Sequence, residues 1–151
     1  DGSTFTKTGT PAGVGLTARE VAALKGATLR HTHTTTIGGT FSSEDIALTV
    51  EVESPRHSVD ATLFGEEYVL ERTAAATAAS ASALAVDFAR RESSALFDAR
   101  IRVWESEYEQ AGIPLDDAGR RKADSMVKSI MHRWLADNAM SYGFRYTFGK
   151  R

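Results

Sequence analysis

The sequence predicts an α+β fold: a small, mostly antiparallel sheet packed against two long C-terminal helices in a single domain. Twelve of the first fifty residues are threonine, a β-branched type that suits strands. Nine of the sixteen residues over 74–89 are alanine, the strongest helix former. No Pro/Gly/Ser linker separates these halves, and 151 residues suit one core. The expected organisation is a strand-rich part over 1–72, a helical part over 73–140 and a closing strand over 141–151.

Residues 1–10 carry Thr and Phe at alternating positions, the period of a strand, and Pro11 to Gly15 reads as a turn. Thr17-Ala-Arg-Glu20 is a capping box that opens a short helix ending near Lys25, closed by Gly26. Residues 27–33 form the next strand, whose alternation sets Leu29, His31 and His33 on one face. A loop over 34–40 contains Gly38-Gly39. Ser42-Ser-Glu-Asp45 then starts a helix to about Glu53, stopped by Pro55.

Val59, Ala61 and Leu63 alternate with polar residues, Gly65-Glu66 suits a two-residue type II′ turn, and residues 68–72 return as the partner strand. In the long helix over 74–110, Phe97, Ile101, Trp104 and Tyr108 recur at spacings of four, three and four, a stripe expected to face the core. Gly112 and Pro114 end it, and Asp116 or Asp117 caps the next helix. That helix runs to about Asn138 with Val127, Ile130, Met131 and Trp134 inward, and both Trp104 and Trp134 read as core residues. Residues 144–148 alternate aromatic and polar side chains as a final strand.

Composition removes several function classes. With no cysteine, disulfide scaffolds, thiolate zinc sites, iron–sulfur clusters and cysteine nucleophiles are excluded, so any metal must use His and carboxylate. Eighteen Lys+Arg against twenty Asp+Glu leave a net charge of −2, which does not support nucleic acid as a partner. Arg90, Arg91, Arg100, Arg102 and residues 120–122 are interleaved with acids and read as solvated helix faces. No stretch has the roughly 20 apolar residues of a membrane span. The chain starts at Asp1 rather than Met, so the reading is a soluble C-terminal module of a larger protein whose cellular address is encoded upstream.

One grouping is dense in chemically capable side chains: His31 and His33, then a Thr/Gly loop, then Ser42 and Asp45. Two imidazoles two residues apart on a strand can converge on one ion at about 2.0–2.1 Å, with Asp45 as third ligand and water as fourth. Ser42 can hydrogen-bond charge that develops on a substrate carbonyl oxygen. Without metal, the paired histidines can serve as acid and base. Ser42 and Asp45 also suit a plain helix start, with Ser42 as N-cap and the acids near the positive end of the dipole. His57, after Pro55-Arg56, reads as an isolated loop residue, and His132 as a side chain beside an apolar stripe. Tyr68 and Arg72 share one face of the hairpin and read as a structural pair.

The run Lys25-Gly-Ala-Thr-Leu-Arg-His31-Thr-His33, followed by Gly38-Gly-Thr-Phe-Ser42-Ser-Glu-Asp45-Ile46, resembles the HxH…SxxD signature of JAB/MPN-type metalloproteins, including the RadC-like branch. It is most similar to HNHP-containing domains at the C-termini of phage Mu F-type minor head proteins and polymorphic toxins. The resemblance implies zinc held by His31, His33 and Asp45, oxyanion assistance by Ser42, and a general-base Glu on an earlier element. Thr34 stands where the family has proline, and Glu20, the only glutamate before His31, belongs to the capping box. The implied function is an effector or toxin-type hydrolase, secreted or phage-delivered into a target-cell cytoplasm and partnered by an immunity protein or its larger parent protein.

Two alternatives come from other classes. In an ADP-ribosyltransferase using NAD, Arg30 or His31, Thr40-Phe-Ser42 and Glu66 or Glu67 would stand in the order such toxins use, although the helix-opening character of residues 42–45 counts against it. In a non-enzymatic interaction domain, the helical half would dock a partner such as an immunity protein or a virion component.

Overall fold

Four strands make up the sheet. In a computed structural model describing residues 2–8, 15–33 and 39–150, these are β1 (Leu29–His33), β2 (Arg56–Ala61), β3 (Glu66–Arg72) and β4 (Phe144–Lys150). They form one sheet in the order β1-β2-β3-β4, with β1 parallel to β2 and the other pairs antiparallel. The parallel pair requires a crossover, supplied by helix α2 (Ser43–Glu51). Helices α3 (Ala78–Glu107) and α4 (Asp117–Asn138) follow the hairpin, and a short helix α1 (Ala18–Ala23) precedes β1. The α+β architecture is therefore as expected. Among the described residues no helix is long and apolar enough to cross a membrane.

Register sorts the sheet into two chemically different faces. Leu29 pairs with His57, His57 with Leu70, and Leu70 with Tyr146, so these residues share the face covered by the helices. The opposite face is charged: Arg30 donates to Asp60 at 2.7 Å, and Glu71 is bridged by Arg56 and Arg145. The core lies between the first face and the helices and is built on Phe41, Ile46, Val59, Leu70, Phe88, Met131 and Phe144.

Three expectations are corrected. Residues 2–8 form no strand, while Asp1, Gly9 and Thr10, like residues 11–14 of the expected turn, lie outside the described residues. The β2–β3 connection is four residues rather than two, because Ala61 pairs with Glu66 and leaves 62–65 as the loop; Gly65 takes φ +61° at its end, and Leu63 is exposed. The inward face of α3 is also not the aromatic stripe. Ala81, Leu84, Phe88, Ala95, Ala99 and Val103 face the core, whereas Phe97, Ile101 and Trp104 are exposed.

The physical reason is the small-residue row. Ala95 and Ala99 let α3 approach α4 closely, where Ala123, Val127, Met131 and Leu135 meet it. Trp104 instead donates its Nε1–H to the Ile113 carbonyl at the helical turn. Trp134 is half-buried and meets Phe88 edge-on. Capping follows the sequence closely: Thr17, Ser42, Thr77 and Asp116 each accept a backbone N–H at a helix start.

Candidate metal centre

His31 and His33 alternate with Thr32 on β1, so both rings project from the helix-covered face at the sheet edge. The crossover returns from β1 to place the first turn of α2 beside them. There the Ser42 side chain accepts from the Asp45 N–H, while Asp45 Oδ2 accepts from the Ser42 N–H at 2.8 Å and from its hydroxyl at 2.9 Å. This reciprocal capping box leaves the carboxylate anchored and still turned toward the rings. Asp45 Oδ1 lies 3.2 Å from His31 Nε2, and Oδ2 lies 3.6 Å from His33 Nε2.

The two ring nitrogens are themselves 2.9 Å apart. Three donors bound at about 2.0–2.1 Å with tetrahedral angles sit about 3.3 Å from one another. The nitrogens stand 2.9 Å apart, and the Asp45 carboxylate approaches them within the same range through different oxygens, Oδ1 at 3.2 Å from His31 and Oδ2 at 3.6 Å from His33. His31, His33 and Asp45 can therefore hold a metal ion. Their side chains are 27, 21 and 17% exposed, which leaves solvent access to the centre.

Electrostatics prepare the donors. Burial, reinforced by the neighbouring His31 ring, pushes the His33 pKa down to about 4 against the opposing pull of Asp45, so the imidazole is neutral at pH 7. Burial alone would raise the Asp45 carboxyl, but the His31 ring and the Ser42 backbone N–H outweigh it and hold it below the usual carboxylate range. A neutral ring and an anionic carboxylate are the forms that ligate a cation. The backbone of Gly39 also hydrogen-bonds the His33 ring.

His57 is the residue that sequence reasoning missed. It lies in β2 rather than in a loop, fully buried, with Nε2 2.9 Å from His31 Nδ1 and Nδ1 2.7 Å from Thr49 Oγ1. Its burial holds its pKa down to about 4. The alternation of His57, Val59 and Ala61 was visible in the sequence, but the neighbouring Pro55 read as a loop signal. Only the parallel register with β1 puts the ring behind His31.

Other singled-out residues lie elsewhere. Glu20 is engaged by Thr17 and by Lys7 at α1. Arg30 points to the charged face, opposite His31, and Glu66 accepts from the Tyr68 hydroxyl at 2.5 Å. Tyr68 and Arg72 share the helix-covered face, and Arg72 lies over the Phe144 ring. His132 meets the Tyr146 hydroxyl, which in turn meets Thr40 Oγ1.

No family model, curated protein or solved structure matches the chain. Function must therefore be read from the geometry.

Proposed function

We propose that this chain is a hydrolase domain with a zinc centre on His31, His33 and Asp45. The observation that carries the proposal is the convergence of two Nε2 atoms 2.9 Å apart with one partly exposed carboxylate, whose oxygens lie 3.2 Å from His31 and 3.6 Å from His33. Two nitrogens and one carboxylate oxygen form a three-ligand set that leaves a fourth position for water or substrate, the pattern of catalytic rather than structural zinc. Zinc bound there supplies an activated water near neutral pH and polarises a carbonyl or phosphoryl oxygen.

The chain's own groups prepare that chemistry. Asp45 offsets cationic charge while Ser42 holds its carboxylate in one orientation. The Ser42 hydroxyl is committed to this cap, so assistance to a substrate oxyanion requires it to rotate away from Asp45 Oδ2. The order His-x-His on a strand followed by Ser-x-x-Asp on the next helix also supports the resemblance to JAB-type metalloproteins. The effector character, delivery into a target cell and an immunity partner follow from that resemblance.

Zinc titration of chelator-treated protein tests the centre. One equivalent bound by wild type and lost in the His31→Ala/His33→Ala double variant is the expected result. A wild-type protein that takes up no stoichiometric zinc overturns the proposal. Growth arrest on expression of wild type but not of the double variant is expected for an effector hydrolase, and arrest by both would place the toxic activity outside these histidines.

A further inference from the structure

We propose that His57, held by Thr49, is a positioning residue that fixes the ring tautomer of His31 and thereby directs the His31 Nε2 lone pair into the centre. This rests on reading His31, His33 and Asp45 as a metal centre. One chain of hydrogen bonds, followed proton by proton, links Thr49 to the centre.

The Thr49 hydroxyl lies 2.7 Å from the Asp45 carbonyl oxygen, which can only accept, so the hydroxyl proton is directed there. Thr49 Oγ1 must then accept from its second partner, His57 Nδ1, at 2.7 Å. Neutral His57 consequently carries its proton on Nδ1 and its lone pair on Nε2. That lone pair faces His31 Nδ1 at 2.9 Å, so His31 donates from Nδ1, and the nitrogen it can offer to a cation, once any proton there is displaced, is Nε2. Nε2 is the atom that faces His33 Nε2 and Asp45 Oδ1.

The hydrogen-bond chain starts and ends on the same residue: the Asp45 main-chain carbonyl sets the first proton, and the Asp45 carboxylate stands beside His31 Nε2. One turn of α2 therefore sets both the third donor and the tautomer of the first. A histidine ligand whose other nitrogen is held by an acceptor is oriented and made more basic, and loss of such a partner lowers metal affinity about 10- to 100-fold. Phe41 meets the His57 ring edge-on and, with burial, keeps water from replacing His57 as the acceptor.

The test combines zinc titration against a competing chelator with nitrogen-15 NMR of the histidine rings in metal-free protein. His57→Phe removes the acceptor and is expected to weaken zinc binding about 10- to 100-fold. His57→Gln offers a carboxamide oxygen to His31 Nδ1–H and is expected to restore most of the affinity. In the spectra, wild type is expected to carry a proton on His31 Nδ1 and His57→Phe to populate the second His31 tautomer, whereas Thr49→Val keeps the Asp45 backbone as an acceptor for His57 and should resemble wild type. A folded His57→Phe protein that binds zinc as tightly as wild type overturns the inference while leaving the metal centre standing. If wild type binds no zinc, the centre fails and the NMR decides the inference alone: a protonated His31 Nδ1 upholds it and an unprotonated Nδ1 overturns it. If His57→Phe does not fold, wild type and His57→Gln decide by the same spectra.

Discussion

Asp45 performs two tasks with one carboxylate: it closes the cap of α2 and it faces both histidines. Oδ2 closes the capping box with Ser42, while Oδ1 faces His31. Ser42→Ala is expected to lower stability by about 1 kcal/mol in urea unfolding, the cost of an N-cap. Asp45→Asn retains an oxygen for the Ser42 N–H but loses the charge, so zinc affinity should fall at least about tenfold while the urea midpoint moves little. Gly39 is a second residue-scale constraint. A Cβ there would stand 2.1 Å from the Ala61 Cβ and 2.9 Å from the Tyr68 ring, so Gly39→Ala must lift the strand-crossing loop off β2. The expected cost is about 1–3 kcal/mol, together with weaker zinc binding, because the Gly39 backbone bonds the His33 ring.

The helix α3 shows why a period does not by itself select a face. Phe97, Ile101 and Trp104 recur at helical spacing, and so do Leu84, Phe88, Ala95, Ala99 and Val103. Both rows satisfy the same periodicity, and the larger side chains made the first row look inward. Close packing of two long helices instead favours the row whose alanines permit a short interaxial distance. Phe88→Ala is therefore expected to cost about 3–5 kcal/mol. Phe97→Ser, at 67% exposure, should stay within about 0.5 kcal/mol of wild type in the same denaturation assay. The reverse ranking would restore the aromatic stripe as the packing face. The capping boxes at Thr17 and Ser42 were legible because they are local, closing over three residues.

Metal and protons act on the whole molecule through linkage. Zinc that binds only the folded chain stabilises it by about 2.7 kcal/mol at a hundredfold excess over Kd, so the unfolding midpoint should rise with zinc and fall back with chelator. In the His31→Ala/His33→Ala variant it should not respond. His132 supplies a separate proton linkage. Its ring packs among Tyr68, Tyr146 and Phe148, and burial holds its pKa below the ordinary value of 6.5, opposed by Glu66 and assisted by Arg133. The unfolded chain thus binds the proton more readily, and this contribution to stability is present above pH 6.5 and lost as pH falls toward the lowered value. His132→Gln should flatten the fall in stability between pH 7.5 and pH 5 relative to wild type, as read from urea midpoints at each pH.

The sequence was enough for the α+β class, the helix starts at Thr17 and Ser42 and the shared face of His31 and His33, because each depends on residues within a turn or a strand of one another, whereas α3 starts after Thr77 and not at the expected residue 74. It also narrowed any metal donors to His and carboxylate, since the chain has no cysteine. Tertiary structure alone decided that His57 stands behind His31, that Gly39 crosses Ala61, and which row of α3 is buried. Those facts depend on strand register and on the approach of one helix to another, which join residues outside any local window, and local propensity carries no information about them.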